Sequence, residues 1–104
     1  MAPLDRRAKL SAMLHEVLGS DEVHFEPPET IKMEYPAIVY NKSGQRTVRA
    51  NDGRYLVYDR YTITFIHKDA DSETTESIGD LPYCELDRQY TADDLYHDVF
   101  TIYI

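Results

Sequence analysis

Residues 54–68 read RYLVYDRYTITFIHK, and this stretch decides the fold. In its second half Tyr61, Ile63 and Phe65 alternate with two threonines and an isoleucine, which is the two-residue period of a strand. The pair Asp52-Gly53 just before it is a hairpin signal. The sequence therefore predicts a long strand that enters from a tight turn and lies in a sheet.

Two helices are predicted, one before this strand in the sequence and one after it. Residues 4–18, LDRRAKLSAMLHEVL, carry one apolar stripe at helical spacing, and Gly19 follows where a left-handed residue would end the helix. After the strand, residues 69–82 read DADSETTESIGDLP, an acidic turn with a short helix. Asp71 or Ser72 would cap the start of that helix, and Gly79 would end it.

The remaining segments complete an antiparallel sheet. A short strand is expected at 23–26, a central strand at 37–40 (AIVY), and two returning strands within 83–91 and 96–104. Residues 41–45 (NKSGQ) are predicted as a turn or loop, and 45–50 as a polar edge strand or an arm. We expect a single α+β domain, residues 1–104, with a loop or arm at 41–54. Its mostly antiparallel sheet of four to five strands would carry both helices on one face.

The charge balance limits the functions open to this chain. The 104 residues include 19 acidic and 11 basic ones, which gives a net charge of −8. Proteins that bind DNA or RNA concentrate Lys and Arg on one surface, so nucleic-acid binding is not expected of this acidic chain. No stretch approaches the roughly 18 apolar residues of a membrane span. Nine tyrosines fit both strands and protein interfaces.

Patterns that would support catalysis fail on spacing. The four histidines form no zinc motif, and residues 69–80 lack the glycine and the final glutamate of a calcium loop. There is no nucleophile elbow and no phosphate-binding glycine loop. Cys84 is expected to be a buried free thiol on a strand. The chain is therefore expected to be no enzyme, with no catalytic residues, cofactor or metal.

The linear order of these segments resembles the small tail terminator and tail-completion (head-to-tail joining) proteins of long-tailed bacteriophages and prophages. The similarity runs from the first helix through YPAIVY (35–40), RYTITFIHKD (60–69) and DSETTESIGDL (71–81). It is most specific in the closing segment, LPYCELDRQYTADDLYHDVFTIYI (81–104).

The resemblance implies a structural virion protein that forms a hexameric ring on the finished tail tube and joins it to the head. Its partners would be further copies of itself, the tail tube protein and a head-closure or connector protein. The protein would be assembled in the host cytoplasm and lie at the head-proximal end of the tail. DNA would pass nearby without specific binding. The ring contacts are expected at exposed loop residues, namely Arg46, Arg49, Arg54 and Tyr58.

Two alternatives stay open. The chain could be another ring of the head-tail connector, or a small acidic regulatory or inhibitory module that covers a basic partner.

Overall fold

The computed structural model describes residues 2–51 and 53–104 of the chain. Two helices and five strands follow one another in the order α1, β1, β2, β3, α2, β4, β5. Their bounds are α1 Pro3–Leu18, β1 Val23–Phe25, β2 Ala37–Ala50, β3 Gly53–His67, α2 Glu73–Gly79, β4 Cys84–Ala92 and β5 Leu95–Tyr103.

The five strands form one sheet in the spatial order β1-β2-β3-β5-β4. Only the β1–β2 pair is parallel; the other three pairs are antiparallel. The predicted α+β class with a mostly antiparallel sheet is therefore confirmed. Short reversals join β2 to β3 and β4 to β5, which is why those pairs are antiparallel.

Both helices pack on one face of this sheet. The buried stripe of α1 (Leu10 and Leu14) and Ile78 of α2 lie over apolar residues from the three central strands. The first helix ends as predicted, because Gly19 adopts a φ of 75° and its N–H donates to the carbonyl oxygen of His15. The core contains Leu10, Leu14, Ile38, Tyr40, Tyr61, Ile63, Phe65, Ile78, Cys84, Phe100 and Ile102.

The alternation predicted for β3 is confirmed. Tyr61, Ile63 and Phe65 are at most 2% exposed and face the helices. In β5 the alternate residues Phe100 and Ile102 pair with Ile63 and Tyr61, so they share this face. Burial of these five side chains removes apolar area from water and so stabilises the domain.

Residues 41–45 were predicted as a turn or loop, and this prediction is wrong. Strand β2 continues through them to Ala50, with a β-bulge between Lys42 and Gly44. Arg60 of β3 donates from Nη2 to the Ser43 carbonyl oxygen at 2.6 Å, and a Cβ at Gly44 would lie 2.8 Å from that same nitrogen. The ladder to β3 thus outweighs the local turn preference, and the bulge absorbs the extra residue.

Candidate assembly surface

The β2–β3 hairpin projects beyond the rest of the sheet as a two-stranded arm, residues 45–58. Strand β1 pairs only with residues 38–40 of β2, and β5 pairs with β3 from Arg60 onward. Asp59 pairs with Gln45 and exchanges backbone hydrogen bonds with Ile104; beyond this point, the described residues of the arm pair only with each other in the sheet. The predicted turn residue Asp52 lies outside the described residues. The molecule is accordingly elongated, with principal extents of 51 × 25 × 22 Å.

A buried carboxylate fixes the base of the arm. Asp59 is fully buried, and its Oδ2 accepts a hydrogen bond from Arg6 Nε of α1 at 2.8 Å. Its Oδ1 accepts from Gln45 Nε2 at 3.1 Å and lies 3.3 Å from Lys42 Nζ. Arg54 Nη2 in turn donates to Gln45 Oε1 at 3.0 Å. The arm is therefore tied to the first helix rather than hinged on the sheet edge.

Burial and pairing act in opposite directions on the Asp59 carboxyl. Burial alone would raise its pKa, but hydrogen bonds from Arg6, Gln45 and Lys42 and the charge of Arg6 outweigh it. The net result is a pKa held below the ordinary value of 3.8. Asp59 is thus an ionised anchor for three donors.

The arm is basic although the protein is acidic. Residues 45–58 hold three arginines and one aspartate, so the net charge of −8 divides into +2 for the arm and −10 for the remainder. All three arginines are exposed. Arg49 and Arg54 are directly opposite one another in the β2–β3 ladder. Like charges in that position destabilise a strand pair, because the two guanidinium groups repel one another.

One face of the arm is an apolar groove with a volume of about 210 Å³. Cross-strand pairing puts Arg46 beside Tyr58 and Val48 beside Leu56 on the same face. Val48 is 37% exposed and Leu56 42% exposed. At the base of the groove Tyr83, 72% exposed, contacts the Tyr58 ring with centroids 6.2 Å apart. The lining residues are Arg46, Val48, Leu56, Tyr58, Tyr83 and Tyr103.

The four predicted contact residues all belong to this arm, although not to loops as predicted. Arg46 and Arg49 lie in β2, and Arg54 and Tyr58 lie in β3. The loop assignment is wrong for the same reason as that of residues 41–45, since the ladder continues to the hairpin end. Tyr58 is also only half-exposed, because it packs against Tyr83.

Sequence reasoning missed the apolar part of the groove. Tyr83 lies in the connection between α2 and β4 at a φ of 57°, and no spacing rule connects it to residues 46–58. Val48 and Leu56 are exposed by the projection of the arm, which the sequence pattern does not reveal.

A second buried carboxylate lies under α2, near the opposite end of the sheet. Asp98 accepts hydrogen bonds from His67 Nε2 at 2.7 Å, Thr75 Oγ1 at 2.6 Å and Gln89 Nε2 at 2.9 Å. The His67 ring is stacked between Phe65 and the ring of Tyr96, with centroid distances of 4.4 and 5.6 Å.

Hydrogen bonds from three donors keep this second carboxylate ionised. Burial would raise the pKa of Asp98, but the hydrogen bonds from Thr75, Gln89 and His67 hold it below 3.8. Both buried carboxylates could have been found from the sequence. Asp59 continues the core-facing alternation of β3, and Asp98 that of β5.

This second cluster attaches α2 to the sheet. Its Asp–His pair resembles part of a catalytic constellation, but Nδ1 of His67 is enclosed and has no hydrogen-bond partner among the described residues. A base must reach the proton that it removes, so the enclosed nitrogen does not offer one. The geometry favours a structural role for His67 and Asp98.

Other reactive groups are also enclosed or dispersed. Cys84 is a free buried thiol, as predicted; burial, with smaller contributions from Asp87 and Glu85, raises its pKa to about 12. No cluster of three or more His, Cys, Asp or Glu suited to a metal ion occurs within residues 2–51 and 53–104. Across the same described ranges, no helix has both the length and the apolar character to cross a membrane.

Comparison with known proteins returned no matching family model and no matching curated protein.

Proposed function

We propose that this protein is a structural component of a phage tail, whose copies assemble through the arm into a hexameric ring. The ring would end the tail tube and join it to the head-closure complex. One observation carries the proposal: a rigidly anchored, basic, two-stranded arm projects from an acidic body. An arm of this shape can reach a neighbouring copy without any change in the body of the domain.

The composition of the arm suits an interface. Arg and Tyr are enriched among the residues that dominate binding energy, and Arg46, Tyr58 and Tyr83 converge on one groove. The exposed Val48 and Leu56 add apolar area that a partner would cover. Because Asp59 already fixes the base of the arm, ordering this surface on association costs little conformational entropy.

A ring needs a heterologous contact, in which the patch on one copy meets a different patch on the next. The arm and the body differ in shape and in sign of charge, so they meet that requirement better than a self-complementary patch would. The net charge of −10 outside the arm also suits a channel through which DNA passes, because an acidic wall does not retain phosphates. The order of segments, which resembles tail terminators, supports the same function.

The function is tested on the tail tubes of a long-tailed phage. Tubes are polymerised from purified tube protein with and without this chain, and their lengths and ends are measured by electron microscopy. We expect added protein to stop growth and to leave a ring at one end only. Unchanged tube lengths with bare ends would contradict a terminator. A ring found instead on the isolated connector would identify a connector component.

A second candidate, an acidic module that covers a basic partner, is favoured by one feature. Five acidic residues and no basic one occupy residues 69–80, and all five are exposed. Capture from host lysate at low and high salt separates the two candidates. Salt-labile capture of one basic host protein would support the module, and capture of tail proteins would support the ring.

A further inference from the structure

We infer that the arm of one copy docks on the acidic end of the next copy, the end of the sheet farthest from the arm. This inference rests on the proposed ring and names its two contacting surfaces. The acidic end is defined by exposed carboxylates in the β3–α2 connection, at the first residue of α2 and in the β4–β5 turn: Asp69, Asp71, Glu73, Asp93 and Asp94.

The register of the sheet brings the two acidic segments together. His67 at the end of β3 pairs with Tyr96 at the start of β5, so the chain leaves β3 beside the β4–β5 turn. Asp93 and Asp94 both have positive φ values, 53° and 62°, which is the conformation of a tight two-residue reversal. The carboxylates therefore lie at one end of a molecule whose other end is the basic arm.

The separation of these charges follows from the length of β3. Its 15 residues run from the arm at Gly53 to His67. At roughly 3.3 Å per residue a strand of that length spans about 50 Å, which agrees with the longest extent of 51 Å. Each copy is thus an electrostatic dipole along the strands. Two such copies attract one another head to tail and repel one another head to head.

The facing arginines point to an anionic partner for the arm. Arg49 and Arg54 are exposed and directly opposite, and neither relieves the charge of the other. A carboxylate placed between them would convert this repulsion into two favourable pairs. Copies of this chain present such carboxylates on the tight β4–β5 turn.

DNA is the competing anion, but the body does not favour it. A duplex that approached the arm would also meet a body of net charge −10. When a second copy docks, its acidic end contacts the arm while the acidic bodies of the two copies stay apart. We therefore assign the arm to a second copy and treat DNA binding as an outcome that would overturn the inference.

Paired charge reversals test the contact. In the arm variant, Arg46→Glu with Arg49→Glu, the second substitution places a carboxylate opposite Arg54, so the hairpin itself should be no less stable than in the wild type. In the body variant, Asp71→Lys with Glu73→Lys, the charge is reversed at two of the five carboxylate positions of the acidic end. The control variant, Asp5→Lys with Asp80→Lys, changes the net charge as the body variant does but at exposed sites in the arm-bearing half.

Association is measured by sedimentation velocity at low and high salt, and by ring formation on tail tubes. We expect the arm and body variants to associate at least about tenfold more weakly than the wild type, and the control to match it. An equimolar mixture of the arm and body variants should recover association, because each acidic arm then faces the two lysines introduced in the body variant. Circular dichroism and thermal unfolding check that every variant is folded.

The outcomes separate this inference from the proposed function. If both variants formed rings as readily as the wild type, or if their mixture did not recover association, the docking would be refuted while the proposed ring would stand. A wild-type chain that forms no ring, alone or on tubes, would refute both. Duplex DNA binding that the arm variant loses, without self-association of the wild type, would refute the docking in favour of DNA.

Discussion

Replacing Asp98 with alanine should destabilise the domain severely, although the residue touches no proposed interface. Its carboxylate accepts hydrogen bonds from His67, Thr75 and Gln89, which belong to β3, α2 and β4. Removal of the carboxylate takes away the hydrogen-bond partner of His67 Nε2. Because Nδ1 of this enclosed ring already has no partner among the described residues, neither ring nitrogen would then form a hydrogen bond. The anchor between α2 and the sheet is lost at the same time.

The expected cost can be worked from these contacts. A buried donor left unsatisfied costs about 1–3 kcal/mol. Thr75 and Gln89 are partly exposed and can turn to water, so each loses only the net value of a charge-assisted bond, about 1–2 kcal/mol. The sum is roughly 3–7 kcal/mol, and its lower half coincides with the cost of breaking a buried charged pair, about 3–5 kcal/mol. For a domain of about 100 residues that lowers the melting temperature by at least about 12 °C.

Urea unfolding followed by circular dichroism measures this cost. Asp98→Asn is the conservative comparison, because its amide oxygen still accepts from His67, and it should lose less stability than Asp98→Ala. Glu76→Ala, an exposed acid on α2, is the matched control and should stay within about 0.5 kcal/mol of the wild type. A loss below about 1 kcal/mol for Asp98→Ala would refute the role given to this cluster.

Three further predictions concern the rest of the domain. Asp59 and Asp98 have lowered pKa values, so the stability they contribute is present above the unfolded-state pKa near 3.8 and is lost as pH falls through their folded-state values; urea unfolding from pH 6 to pH 2 should show this decline, and a flat profile would contradict it. With the pKa of Cys84 raised from 9.0 to about 12, its thiolate fraction falls about a thousandfold; a disulfide reagent at pH 8 should react far more slowly with folded than with urea-unfolded protein, and equal rates would show that the thiol is accessible. Ile38→Ala should cost roughly 2–5 kcal/mol, because the residue is fully buried, whereas Leu4→Ala at a 64% exposed position should cost under about 1 kcal/mol; similar losses in thermal unfolding would refute this placement of the core.

The parts of the fold set by periodicity could be predicted from the sequence. The stripe of α1 and the alternation of Tyr61, Ile63 and Phe65 depend on local spacing, and the structure has both. The path of residues 41–45 could not be predicted, because Asn41 and Ser43 favour turns locally while the ladder to β3 holds them in a strand. The structure of residues 41–45 is therefore determined by their pairing with residues 59–62 of β3, which lie far away in the sequence.

The candidate surface was predictable only in part. The arginines of the arm stand out in an acidic sequence, but their direct opposition depends on the register shift between Val48 and Arg49. Tyr83 reaches the groove through the return of β4 along β5, a contact that no local pattern encodes. The two buried aspartates, by contrast, were visible as acids at core-facing positions of apolar strands.

Native mass spectrometry of the full chain across a range of concentrations tests the central claim of self-assembly most directly. Six copies of 12.1 kDa give a species of about 73 kDa, and the proposal predicts that this species grows with concentration and disappears in the arm variant. A single 12.1 kDa species at every concentration, with or without tail tube protein, would contradict it.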